Sequence, residues 1–274
     1  MTKVQKEIKN INYKKWCLDN QINELFDIKL STYGDIREKR KKSIYGSVNP
    51  QNNTPLEAEL DDLTRLHFLV RTRKVTTILE FGVGKSTLVF ADALKKNKEE
   101  FGEFVKNNLR RANPFEIHSV DSNKKWINKC KRGFIPGLLK FVRFHLSKVE
   151  MTTFNGRACT MYRKLPNICP DLIYLDGPDQ FSVENDIRGI STRSTDRLPM
   201  SADILFFEPF LLPGTLIVVD GRTANARFLK NNLQRNWEYN YFLEEDIHTF
   251  ELIEEPLGKF NSKQLRFCLG DNMI

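Results

Sequence analysis

Between Thr76 and Asp220 the chain alternates short, largely continuous apolar runs with stretches whose apolar residues recur every three or four positions. The runs TTILEF (76–81), EIHSVD (116–121), KFVRFH (140–145), DLIYLD (171–176) and TLIVVD (215–220) predict strands. Strands of this kind, separated by helical segments such as SADILFFEPFLL and TANARFLKNNL, belong to a parallel sheet covered on both faces. Three of the five end in aspartate, at Asp121, Asp176 and Asp220, and ligands of such sheets bind at the carboxyl ends of the strands. Near the C-terminus, EYNYFLEE (238–245) and SKQLRFCLG (262–270) predict two more strands with no room for a long crossover, hence an antiparallel pair at the sheet edge.

Ahead of the first strand, TPLEAELDDLTRLHFLV predicts a helix. Thr54 caps it, Pro55 takes the first helical position and Glu57 completes a capping box, while Leu56, Leu60, Leu63, Leu66 and Val70 mark one apolar face. Residues 1–53 differ in composition. They are rich in Lys, Asn and Ile, carry the basic run REKRKKS (Arg37 to Ser43), and read as a helical appendage closing over or beside a main domain spanning 54–274. The predicted fold is therefore α/β, a doubly wound and mostly parallel sheet with helices on both faces.

Composition adds a bias toward anions. With 274 residues, 40% of them hydrophobic, the chain can bury one sizeable core. Lys and Arg (43) outnumber Asp and Glu (35), so the surface should attract phosphorylated metabolites, nucleic acid or acidic glycans. REKRKKS alone reads as a solvated face. The five cysteines are scattered without a CxxC pair, which indicates neither a zinc knuckle nor a disulfide framework and suits reduced thiols in the cytoplasm. No apolar run approaches the roughly 18 residues of a membrane span, so a soluble protein without a membrane partner is expected.

The turn after the first strand, LEFGVGKST, carries the candidate chemistry. A phosphate-binding loop of the Walker type would use Gly84, Lys85 and Ser86, but its first glycine falls on Leu79, and Glu80 would face the phosphates. The dinucleotide fingerprint fits Gly82 and Gly84, yet its third glycine is Thr87 and the ribose-binding acid should follow after about 20 residues, far short of Asp121. Two glycines in one turn could equally be an ordinary strand-to-helix connection. What fits better is an acid at the end of the first strand, a glycine turn, a small residue opening the helix, and an acid closing the second strand in HSVDSN.

LEFGVGKST with HSVDSN resembles the Rossmann-like (class I) S-adenosylmethionine-dependent methyltransferases, from about Leu56 to Leu269. The resemblance implies a seven-stranded sheet of order 3-2-1-4-5-7-6. It places the cofactor, S-adenosylmethionine, against Glu80, Gly82, Gly84 and Ser86, with Asp121 and Ser122 at the ribose hydroxyls. Glycines let a backbone approach closely, and carboxylates accept hydroxyl hydrogen bonds and favour a nearby cation. Lys85 and Ser86 depart from the small residue and third glycine usual there.

PDLIYLDGPDQF and LPGTLIVVDGRTANARF are similar to the corresponding segments of the O-methyltransferases of the catechol and macrolide-sugar types, which implies that Asp176 and Asp220 are candidate catalytic residues and candidate Mg²⁺ ligands. Gly221 stands where the catechol type has a metal-binding amide, and without metal Asp176 is the candidate general base. No DPPY, NPPY or Pro-Cys motif of base methylation occurs, which favours oxygen of a small molecule or sugar. RNA-directed methylation, a non-catalytic methyltransferase-like binding subunit and a P-loop-like nucleotide enzyme remain alternatives. The connection PDQFSVENDIRGISTRSTDRLPMSAD carries Arg188, Arg193 and Arg197, which with Arg222 suit an anionic acceptor, or else lie on a solvated loop. His118 reads as structural, His67, His145 and His248 stay unassigned, and Trp126 suits either an adenine or the core.

Overall fold

The computed structural model describes residues 2–30, 58–194, 196–198 and 200–270. The basic run Arg37 to Ser43 and the expected capping residues Thr54, Pro55 and Glu57 lie outside these residues. The described helix that precedes the sheet, α3, runs Leu60–Thr72, after α1 (Lys3–Lys9) and α2 (Tyr13–Asp19).

The first five predicted strands form at or within two residues of their expected bounds. They are β1 (Thr77–Phe81), β2 (Glu116–Asp121), β3 (Val142–Leu146), β6 (Leu172–Leu175) and β8 (Leu216–Asp220). β3 starts later than KFVRFH suggests because Leu139–Phe141 is a 3-10 turn. With β9 (Trp237–Phe242) and β10 (Ile247–Leu252) they make a seven-stranded sheet of order β3-β2-β1-β6-β8-β10-β9. All neighbours are parallel except β10, which is antiparallel to both β8 and β9. Counted over this sheet's own strands, that is the expected 3-2-1-4-5-7-6.

The prediction for 262–270 is wrong. SKQLRFCL lies in helix α8 (Gly258–Leu269), and the strand that pairs with β9 is β10. Hydropathy misled at both places because the buried side chains are polar. In α8, Asn261, Gln264, Leu265 and Leu269 face inward at helical spacing, with Gln264 Nε2 donating to Asp171 Oδ1 at 2.6 Å. In β10 all six residues are buried, including His248, Thr249 and Glu251, because the strand is inserted between two others and covered on both faces.

A second, three-stranded sheet went unpredicted. β4 (Val149–Phe154) and β5 (Arg157–Tyr162) form a hairpin, and the short β7 (Val183–Glu184) pairs with β4. The hairpin loop is Asn155-Gly156, both at positive φ (49° and 74°), the two-residue turn that matches strand twist. It occupies the crossover from β3 to β6, where a helix usually lies.

Alternation along the central strands splits the core. Ile78, Ile117, Leu172, Tyr174 and Val218 face α3 and α4 (Lys85–Asn108). Phe81, Val120, Ile173, Leu175 and Val219 face the hairpin, α6 (Asp203–Phe207) and α7 (Thr223–Lys230). The N-terminal helices pack onto the first layer. Val4 and Ile8 join its core, and Cys17 and Ile22 cluster with Leu60, Leu63 and Val89. Trp16 Nε1 donates to His67 Nδ1 (3.1 Å), so the other ring nitrogen of that buried histidine carries the proton facing Asp92 Oδ2 (3.1 Å). Arg73, buried at the far end of α3, pairs with Glu7 at 2.9 Å and with Glu251.

Candidate functional site

β1 has β2 on one side and β6 on the other, and the chain leaves these strands toward opposite flanks of the sheet, so a crevice opens above the end of β1. Glu80 lies at its base, on the side facing α4, and is fully buried. It accepts hydrogen bonds from Ser86 Oγ (2.6 Å), Thr87 Oγ1 (2.7 Å) and Ser119 Oγ (2.6 Å). Burial pushes its carboxyl up to about 7 against the opposing pull of these donors. Thr87 receives Gly84 N–H (3.1 Å) on the same hydroxyl, which explains a threonine where a dinucleotide site has glycine. Glu80 and Ser86 therefore brace the turn from beneath.

The two glycines differ. Gly82 has φ +92° and lies against the loop after β6, where an added Cβ would stand 3.0 Å from the Asp176 carbonyl oxygen. Gly177 is its counterpart, for a Cβ there would meet Gly82 N at 2.7 Å. Glycine at 82 serves this contact between strand ends. Around Gly84 an added Cβ would find only Ser86 Oγ, at 3.8 Å, so this side of the turn is open.

Asp121 closes β2 beside the turn. Its Oδ2 accepts Val83 N–H (3.0 Å) and its Oδ1 accepts Asn123 N–H (2.7 Å), which joins the two strand ends. Ser122 N–H is also directed at the carboxylate, so at most three of about four lone-pair positions are used and acceptor capacity remains. The side chain is half-buried, which pushes its pKa upward, and Ser122 beside it is also half-buried. Trp126 lies on the next helix, α5 (Lys124–Arg132).

Across the crevice stand Asp176 and Asp220. Asp176 follows the fully buried end of β6, yet 54% of its side chain is accessible, so solvent reaches the centre of the sheet edge. Arg222 spans the two loops, donating to Asp176 O (2.6 Å) and Pro178 O (3.0 Å), with Nε 3.5 Å from Asp176 Oδ1. Asp220 accepts a 2.5 Å hydrogen bond from Tyr174 Oη. Burial, then repulsion from Asp62 and Asp176, pushes the Asp220 carboxyl up to about 7. Asp62 comes from the first turn of α3, paired with buried Arg65 at 2.6 Å, so the N-terminal side of the domain also borders the site.

A magnesium site is not supported. Asp220 is turned to Tyr174 and Asp176 to Arg222, and among the described residues no three His, Cys, Asp or Glu side chains are grouped to hold an ion. The loop arginines 188, 193 and 197 are all exposed. Arg193 donates to Val183 O and Arg197 to Ser191 O (2.8 Å), tying the loop to itself and to the second sheet. Sequence reasoning missed Tyr174 and Asp62, since nothing in a lone tyrosine or a helical aspartate marks it before strands are paired. Among the described residues no helix is long and apolar enough to cross a membrane.

No protein-family model matches the chain, and no curated protein does. Among solved structures it is similar to the SAH-bound methyltransferase PaMTH1 of Podospora anserina, at 12% identity and a TM-score of 0.41, over 79% of this chain and 86% of that one. It is similar as well to the O-methyltransferase TomG of Streptomyces achromogenes in complex with SAM, at 14% identity and a TM-score of 0.39, over 88% and 98% of the two chains. An O-methyltransferase of Bacillus cereus in complex with SAH gives 13% identity and a TM-score of 0.35, over 87% and 99%.

Proposed function

We propose that the chain is an S-adenosylmethionine-dependent methyltransferase acting on a hydroxyl oxygen of a small molecule or sugar. The observation that carries this reading is the crevice above β1, where Asp121 binds the glycine turn through Val83 N–H and keeps acceptor capacity on a half-buried carboxylate. A ribose diol offers two donors to such a group. Gly82 and Gly84 form the floor, braced by Glu80 and Ser86, and Ser122 lies beside the ribose position. Acids around the crevice favour a cationic ligand over a polyphosphate, because like charges raise the cost of binding anions.

The bound cofactor supplies an activated methyl on a positive sulfur, and its transfer to oxygen leaves a neutral thioether. Asp220 is the candidate base. Its pKa near 7 lets it be ionised at neutral pH and still hold the proton released by the acceptor hydroxyl. Tyr174 fixes its orientation. Asp176, accessible and held through Arg222, faces the acceptor side. Arg188, Arg193 and Arg197 on the loop edge are the groups that would select an anionic acceptor.

Calorimetry tests the assignment. S-adenosylmethionine and S-adenosylhomocysteine should compete for one site, and Asp121→Ala should weaken both by about tenfold or more, the scale of charge-assisted hydrogen bonds. Tight ATP binding with no heat from S-adenosylmethionine would overturn the reading.

A further inference from the structure

Between Asp121 and Glu150 the chain contains no acidic residue. Five of the nine residues of α5 are basic, Lys124, Lys125, Lys129, Lys131 and Arg132, and all five are exposed. Lys140, Arg143 and Lys148 follow, also exposed. These eight charges equal the net charge of the whole chain, +8, so the rest of the sequence is balanced and the excess is gathered in this segment. The fold puts the segment at one side of the molecule, because β3 is the edge strand of the seven-stranded sheet and α5 packs beside it.

The same edge turns apolar side chains outward. In the connection from α5 to β3, Leu138 and Phe141 are buried in the core, and Phe134 meets Phe144 edge-on with centroids 6.1 Å apart. The residues between these anchors face solvent. Ile135 is 39% and Leu139 44% exposed, against 4% for Leu138. Cations border the pair, for Lys131 Nζ stands 5.1 Å from the Phe144 ring and Lys140 Nζ 5.4 Å from the Phe141 ring.

The acids of neighbouring strands are occupied by two of the eight cations. Glu116 holds Arg143 and Glu184 holds Lys148, both at 2.6 Å. Lys124, Lys125, Lys131, Arg132 and Lys140 make no ion pair with any described residue. A single-stranded nucleic acid would need ring faces to stack on as well as charge. The rings here are already covered by cations, including Trp126 by Lys129 Nζ at 5.2 Å, and what the edge presents between its charges is aliphatic. Outward Ile and Leu ringed by Lys and Arg suit the headgroup layer of an anionic bilayer.

We propose that the α5–β3 edge is a peripheral binding surface for an anionic lipid bilayer, with Ile135 and Leu139 entering the interface and the lysines and Arg132 around them at the headgroups. Such contact needs no spanning helix, and it is independent of the reaction proposed above.

Sedimentation of the full chain with vesicles tests this surface. At about 0.1 M salt the protein should pellet with phosphatidylcholine vesicles containing about one-third phosphatidylserine, and stay in solution with phosphatidylcholine alone. Lys131→Glu with Lys140→Glu should lower partitioning by about a hundredfold or more, given what each basic residue contributes near such a surface. Ile135→Ser with Leu139→Ser leaves the charge unchanged and should lower partitioning by about tenfold. All four side chains are exposed, so both variants should unfold at the wild-type temperature, and if one melts lower the other decides. Failure of the wild type to pellet with the phosphatidylserine vesicles overturns the proposal, as does undiminished pelleting of either variant. Binding to polyuridylate at this salt with none to the vesicles would assign the edge to nucleic acid instead.

Discussion

Glu80 accepts three hydrogen bonds from hydroxyls of its own chain, so its carboxylate braces the glycine turn. Asp220 is different in kind. It is held on one oxygen only, by Tyr174, and its pKa near 7 sets a clear pH dependence. As a base it must be ionised, so turnover should rise as pH passes through about 7 and level off above. Asp220→Asn should lower kcat by about a hundredfold, the lower end of general-base contributions, and remove that rise. The same shift has a stability consequence. A carboxyl whose folded pKa lies above its unfolded value must ionise at a cost, so stability is lost between about pH 4 and 7. Asp220→Asn should therefore melt above wild type at pH 8 and no higher at pH 4. A variant that melts below wild type at pH 8 would show that the ionised group is stabilising instead.

At the scale of elements, the hairpin shows how a local turn sets a register. Asn155-Gly156 sets its register, and that register places Tyr162 at the strand end. A Cβ at Gly156 meets nothing within 4 Å, so only its positive φ resists substitution. Gly156→Ala should cost about 1–2 kcal/mol, read as a lower urea midpoint at unchanged slope. Affinity for S-adenosylhomocysteine should persist below the transition, because the register does not move. Neither this turn nor the strands it joins were anticipated from the sequence, although Asn-Gly is a hairpin signal. The Asn-Gly signal lies between runs containing Glu, Thr and Arg, which alternate as a half-covered strand does but lack the continuous apolar character of the central sheet. The C-terminal misreading has the same origin. Gln264 and Asn261 are buried because specific acceptors wait for them, and no periodicity of apolar residues shows that.

Over the whole molecule, residues from the N-terminal helices reach the far end of α3 and the last strands. Glu7 shares buried Arg73 with Glu251, and Trp16 completes the hydrogen bonding of buried His67. Removing residues 1–22 would leave Arg73 with one carboxylate and take Cys17 and Ile22 away from Leu60 and Leu63. Loss of one partner from a buried charged set costs about 3–5 kcal/mol, comparable with the net stability of many domains. The truncated chain should lose its cooperative thermal transition, and a truncation that melts within a few degrees of the full chain would contradict this coupling.

What the sequence determined by itself follows from local rules. Continuous apolar runs fixed the central strands, glycines flanked by acids marked the turn, and aspartates at three strand ends located the crevice. Tertiary structure decided what each polar group does. Whether Glu80 meets a ligand or braces a turn, and whether Asp176 and Asp220 face a metal or turn to Arg222 and Tyr174, depend on side chains far apart in sequence. Those distances are set by strand order and by the inserted hairpin, and hydrogen bonds are short and directional, so shifts of an ångström decide them.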